Sequence, residues 1–152
     1  MNKSVWGPCT WNVLHVLSMK IKDSDFSSHK NQLIDMIIKI FSHLPCPICS
    51  THAKQLMGKY NIRRIQTKEG LVKTLFLIHN EVNKKLKKQN FEYEKIKNIY
   101  LSMNTRQVFI DYYNKYSVMN FGEKMMLYSF HRKLFLKQYK QFMQNHIHLF
   151  LE

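Results

Sequence analysis

Apolar residues recur three and four positions apart along almost the whole chain, and no stretch alternates as a half-buried strand would. The pattern predicts a protein that is nearly all helix. A first helix is expected over residues 5–21, capped by Ser4, with Pro8 tolerated in its opening turn and with Trp11 and His15 on one face. The polar run 22–28 reads as a break. A second helix over 30–43 carries Leu33, Ile34, Ile37, Ile38 and Phe41 as its apolar stripe, and Pro45 ends it. A third starts at Cys46 and runs to about residue 57, where Gly58 serves as a stop signal. A fourth over 67–88 sets His79 and Asn83 one turn apart, and a short fifth begins near Tyr93. Further helical periods cover 105–116 and 123–145. The picture is a compact bundle with short loops, with neither an internal repeat nor a low-complexity linker.

Composition sharpens this picture. With 152 residues, 45% of them hydrophobic, the chain can bury one core of ordinary size, and only 4 Gly and 3 Pro interrupt its periods. No run approaches the ~20 apolar residues that a membrane span needs, so a soluble protein made without a cleaved signal is expected. The formal net charge is +14, from 24 Lys/Arg against 10 Asp/Glu, and both the first hundred residues and the remainder are basic. Such a field favours acidic partners, phosphates, nucleic acid or anionic lipid, although a solvated basic face explains it equally simply.

Three cysteines, Cys9, Cys46 and Cys49, are too few for a framework of structural disulfides. Chemistry is the better use for them. Cys46-Pro47-Ile48-Cys49 places two thiols on one helical turn, where they can close a disulfide, and a helix N-terminus beneath Cys46 favours the thiolate needed for exchange. Pro47 suits the first helical position. The same spacing serves other chemistry. A thioredoxin-like setting needs a strand before the pair, and the chain offers none. A zinc site could draw on His43, Cys46, Cys49 and His52, but on a continuous helix the two histidines lie ~13 Å apart, too far for one tetrahedral ion unless Pro45 bends the chain sharply. Two buried structural cysteines are the plain alternative.

Three motifs stand in order around this pair: Trp6-Gly7-Pro8-Cys9-Thr10-Trp11-Asn12-Val13-Leu14-His15, the CxxC within residues 43–53, and His79-Asn80-Glu81-Val82-Asn83-Lys84-Lys85-Leu86. Together they make residues 4–100 resemble the Erv/ALR family of FAD-linked sulfhydryl oxidases, most closely the short versions found in large cytoplasmic DNA viruses. The resemblance implies an all-α fold: a four-helix bundle with a short fifth helix as an FAD-binding domain over 1–100, usually a homodimer. It leaves 101–152 unexplained, and the helical periods there predict a helical C-terminal extension. That extension is expected to pack on the core or across the dimer interface, with Met125, Tyr128, Arg132, Phe135, Tyr139 and Phe142 as its stripe and Lys133, Lys137 and Lys140 largely off it.

The resemblance further implies that Cys46 and Cys49 are the catalytic pair, with Cys46 meeting the substrate dithiol and Cys49 facing the flavin, and that electrons pass through FAD to O2 to give H2O2. Gly7, Trp11, His15, Cys49 and Tyr100 are implied on the flavin side, His79, Asn80 and Asn83 on the adenine and ribose side, and Lys84 and Lys88 near the pyrophosphate. No metal is expected. Where many members carry a disulfide between the fourth and fifth helices, this chain has Phe76 and Tyr93, whose rings are expected to touch instead. Many members also carry a second shuttle pair, which this sequence lacks, so the expected partner is a dithiol protein substrate or a separate small thiol carrier, in the host cytoplasm or the virion if the source is viral. The competing reading is a non-catalytic basic module binding nucleic acid or zinc.

Overall fold

The computed structural model describes residues 2–119 and 126–152, and its regular elements are helices in the order α1 Lys3–Met19, α2 Asp23–Ser42, α3 Pro47–Lys59, α4 Lys68–Lys85, α5 Tyr93–Leu101, α6 Thr105–Ser117 and α7 Met126–His146. Short 3-10 turns follow α3 and α7, at Ile62–Arg64 and Ile147–Leu149. The all-α fold expected from periodicity is the fold observed. Residues 123–125, where the last helix was expected to begin, and Met125 of its stripe lie outside the described residues.

Helix α1 is the central post. Val13, Leu14, Val16 and Leu17 have no solvent exposure, so apolar positions fall all round this helix, as burial among several neighbours requires. It packs against α2, α4, α5 and, most extensively, α6. Its cap is Asn2, whose side chain accepts from the Ser4 N–H at 3.1 Å, and not Ser4 as expected. Starting at Lys3, the helix contains Pro8 beyond its first turn, which removes one intrahelical hydrogen bond.

Helix α2 begins at Asp23, so residues 23–28 are not a break. Asp23 and Asp25 occupy its first turn, where carboxylates complement the helix dipole, and Phe26 is already buried. The Lys68 ammonium of α4 ties this corner down, donating to the Ile21 carbonyl at 2.6 Å and to Asp23 Oδ1 at 2.8 Å. Gly58 lies within α3; the chain turns instead at Asn61, which takes a left-handed conformation at φ 50°. Thr67 caps α4 through the Gly70 N–H, and that helix stops at Lys85, with Lys87 at φ 58° just beyond.

The short α5 is pinned by a separate apolar cluster of Met19, Val72, Ile96 and Tyr100, against which Phe76, Tyr93 and Met103 pack. Phe76 and Tyr93 meet edge to face, with ring centroids 5.3 Å apart. Helices α6 and α7 add to the main core: Tyr112, Tyr116, Phe135 and Tyr139 are fully enclosed within it. Chain segments after α1 and after α7 are laced together by an isolated antiparallel bridge between Ile21 and Phe150, by the Lys22 N–H to the Leu149 carbonyl, and by the buried Lys20 ammonium, which donates to the backbone oxygens of Met103 and Glu152. Among the described residues no helix is long and apolar enough to cross a membrane.

Candidate active site

The chain leaves α2 at Ser42, turns through His43-Leu44-Pro45, and enters α3 with Cys46 as the N-cap and Pro47 at the first helical position. Cys46 Sγ accepts from the Cys49 N–H at 3.2 Å, so this sulfur occupies the place of a capping oxygen, where the helix dipole favours negative charge. Cys46 and Cys49 are joined in a disulfide with Cα atoms 5.1 Å apart. The turn is braced from within, because the buried Ser50 hydroxyl accepts from the Leu44 N–H at 3.1 Å. Both cysteines are half-buried, while Pro47 and Ile48 between them stand in solvent.

Behind the disulfide opens a cavity of about 440 Å³ between α1, α3 and α4. Cys49 lines it and Cys46 does not. Helical spacing explains the walls: Gly7 and Trp11 share a face of α1, Cys49, His52 and Ala53 a face of α3, and His79, Val82 and Asn83 a face of α4, with Leu86 at its C-cap. A Cβ built on Gly7 would meet no atom within 4 Å, so glycine keeps space open here. Lys3, Lys85 and Lys88 line the same cavity.

One side of the cavity is a stack of rings. Trp11 and His79 lie parallel with centroids 3.8 Å apart, His15 stacks on Tyr100 at 4.4 Å, and Phe91 meets His79 edge to face at 4.7 Å. His15 Nε2 and His79 Nδ1 are 2.9 Å apart, and His15 Nδ1 is buried with no partner among the described residues. An orphaned lone pair costs less than an orphaned N–H, so His15 Nε2–H donates to His79 Nδ1, and His79 keeps its own Nε2–H. Burial holds both imidazoles neutral: it depresses His79 to about pKa 3, helped by the Lys88 charge, and His15 well below the usual value, helped by His79. Burial also lifts the Tyr100 phenol to about 12.

Of the residues singled out in the sequence, Gly7, Trp11, Cys49, His79, Asn83, Lys88 and Tyr100 line this one cavity. His15 stands behind the ring stack and fixes it. Asn80 and Lys84 do not line the cavity. Asn80 faces the segment after α4, where its side chain accepts from the Phe91 N–H at 2.9 Å and donates to the Phe91 carbonyl at 3.3 Å. Lys84 is one helical step off the cavity-facing set, and Lys85 takes the lining position in its place. Phe91, Lys85, Lys3 and, as a cavity residue, His52 were missed. The i, i+3 spacing of Lys85 and Lys88 was the available signal for the first cation. His43 and His52 do not join the cysteines in a ligand set: His43 stacks on Phe135 at 4.5 Å, and among the described residues no group of three or more His, Cys, Asp or Glu could hold a metal ion.

The donor set of this cavity suits a flat aromatic ring system joined to a phosphate: ring faces for stacking, a neutral N–H donor, three ammonium groups and a sulfur at the wall. The Erv1/Alr family model matches residues 8–101. The chain belongs to the Erv1/Alr family. The matched region of this Erv1/Alr chain ends with α5, so α6 and α7 lie outside it. It is 33% identical over 95 residues to an FAD-linked sulfhydryl oxidase of African swine fever virus (isolate Pig/Kenya/KEN-50/1950), covering 62% of this chain and 79% of that protein. It is 27% identical over 86 residues to the mitochondrial FAD-linked sulfhydryl oxidase erv1 of Schizosaccharomyces pombe, covering 56% and 47%. The putative FAD-linked sulfhydryl oxidase 096R of Invertebrate iridescent virus 3 is 27% identical over 89 residues, covering 58% and 60%. No solved structure matches the chain.

Proposed function

We propose that this Erv1/Alr chain is an FAD-dependent thiol oxidase that forms disulfides in protein substrates, with Cys46 and Cys49 as its redox pair. The observation that carries the reading is a disulfide at a helix N-terminus whose second sulfur borders a cavity walled by stacked rings and lysines. Trp11, His79 and Tyr100 would hold the aromatic parts of FAD, Lys85 and Lys88 its pyrophosphate, with Asn83 and the His79 Nε2–H as polar contacts. Bound FAD supplies a two-electron path from the cysteine pair to O2, which leaves as H2O2.

The protein's own steps follow from the disulfide's position. A substrate thiolate attacks Cys46 Sγ, the Cys46–Cys49 bond breaks, and Cys49 leaves as thiolate beside the cavity. The second substrate thiol, once deprotonated, attacks the substrate sulfur of the mixed disulfide and releases Cys46. Two electrons and two protons have then left the substrate, and the pair is reduced. The N-cap position stabilises Cys46 as the leaving thiolate. The neutral, buried histidines keep positive charge out of the ring stack without titrating near neutral pH.

A dithiol protein or small thiol carrier as substrate, a homodimeric assembly, and action in the host cytoplasm or virion if the source is viral belong to the same proposal, as does the division into an oxidase domain over 1–100 and an extension over 101–152. The test is direct. Purified protein should be yellow, and its flavin absorbance should bleach with dithiothreitol under anaerobic conditions and return with air, with H2O2 produced. Colourless protein containing zinc would sink the reading.

A further inference from the structure

The extension α6–α7 lies outside the region shared with the family, yet the first half of α7 is seated against the turn that bears the redox pair. Phe135 stacks face to face on His43, three residues before Cys46, with planes 5° apart. Ser50, one residue after Cys49, is near enough to Tyr128 of α7 to lower its phenol pKa against the burial that raises it. On the flank of α7 beside these contacts, Leu127, Phe130 and Leu134 are 69%, 55% and 44% exposed. Their spacing of three and four puts them on one face, and Ile48, 77% exposed, stands between the two cysteines. An apolar stripe left in solvent beside a reactive disulfide has a use only if something covers it.

Charge narrows what that is. Helices α3 and α7 expose Lys54, Lys133, Lys137 and Lys140 and carry no carboxylate; Arg132 is buried and Lys59 is paired with Glu81. Burial is the main cause that depresses the His43 pKa, opposed by its hydrogen bond to the Lys39 backbone, and the charges of Lys54, His131 and Lys39 add smaller depressions. A face of this sign favours an acidic partner over a second copy of a chain with net charge +14. We infer that the Leu127–Phe130–Leu134 stripe of α7 is the docking surface for the dithiol substrate, and that it selects a segment combining apolar anchors with Asp or Glu around its cysteines. The inference rests on the oxidase reading: the extension sets which dithiol reaches Cys46 and takes no part in the electron path.

The test uses the FAD-loaded full chain and two reduced synthetic dithiol peptides, one with Leu, Phe, Asp and Glu flanking its cysteines and one with Lys in place of the acids. Dithiothreitol is the small control substrate. The triple variant Leu127→Gln, Phe130→Ser, Leu134→Gln alters only exposed side chains. It should lose about tenfold in kcat/KM for the acidic peptide, through KM, with dithiothreitol turnover unchanged. The wild type should prefer the acidic over the lysine peptide by about tenfold at low salt, with the preference shrinking as salt rises. Fluorescence anisotropy with a labelled acidic peptide whose cysteines are serines reads docking apart from redox chemistry, and the variant should bind it correspondingly weakly. Several results would overturn the inference: equal losses for dithiothreitol and peptide, peptide rates and binding indifferent to the variant, or no preference between peptides. So would a variant that only turns dimers into monomers, or only loses flotation with phosphatidylserine vesicles. A wild type that fails to oxidise dithiothreitol defeats the oxidase reading instead, and the anisotropy measurement still decides whether the stripe binds the peptide.

Discussion

His15 Nε2 lies 2.9 Å from His79 Nδ1, joining two neutral, buried imidazoles from α1 and α4 behind the candidate cofactor cavity. Such a pair makes stability depend on pH. Both groups have folded pKa values below the unfolded value of 6.5, so the unfolded chain binds more protons as pH falls. The stabilisation is complete above about pH 6.5, declines as pH falls below it, and for His79 is fully lost by about pH 3. Between pH 7 and pH 5, His79 alone should cost the flavin-free protein about 2 kcal/mol. Urea unfolding at the two pH values measures this, and His79→Gln should show a loss smaller by that amount. Parallel pH profiles for wild type and variant would show that the imidazole is not buried in its neutral form.

Phe76 and Tyr93 meet edge to face where many family members are expected to carry a disulfide between the fourth and fifth helices. Both are half-buried, so Tyr93→Ala should cost about 2 kcal/mol, from lost area and the ring pair together. Because α5 also carries Tyr100 into the cavity, the variant should release flavin more readily on dilution. A melting temperature and flavin occupancy equal to wild type would show that α5 is held by Ile96 and Tyr100 alone.

Helix existence was legible in the sequence because the buried stripes of α2, α4 and α6 keep the helical period. Boundaries were less so. Residues 23–28 look like a loop by polarity, yet Asp23 and Asp25 are first-turn residues and Phe26 is the first core contact of α2. Gly58 looks like a stop, but the turn that ends the segment is made by Asn61. The Cys46–Cys49 pairing and seven of the cavity-lining residues were readable from motifs, whereas Lys85 and Phe91 depend on how α4 is rotated and how the segment after it folds back. Least legible was the partner of the extension: that Tyr116 would reach Thr10 is a long-range pairing on which periodicity is silent.

That pairing sets a third expectation. The Thr10 hydroxyl donates to the Trp6 carbonyl at 2.7 Å, so at 2.6 Å it accepts from the Tyr116 phenol, itself stacked on Tyr112 at 4.1 Å. Tyr116→Phe should cost about 1–2 kcal/mol by deleting one buried hydrogen bond, and Tyr116→Ala about 3–5 kcal/mol by opening a cavity between α1 and α6. Equilibrium unfolding gives both values. If both variants match wild type, α6 is not part of the cooperative unit that contains α1.

Cys46 and Cys49 should fail differently when replaced, because only Cys49 lines the cavity while Cys46 caps α3. Both single variants should retain flavin, since neither side chain supports the ring stack. Cys49→Ser removes the sulfur nearest the cavity, so dithiols should no longer reduce the flavin at useful rates. Cys46→Ser leaves Cys49 as an unpaired thiol beside oxidised flavin, and its thiolate should give a broad long-wavelength charge-transfer absorbance. The sign of its pH dependence is fixed by which form absorbs: the band is full above the Cys49 pKa and bleaches as pH falls through it. Turnover of protein dithiols should vanish in both variants, because neither retains a disulfide for substrate to attack. A pH series of visible spectra on both proteins separates the roles. A band in Cys49→Ser and none in Cys46→Ser reverses the assignment, and unchanged turnover in either variant removes this pair from the reaction.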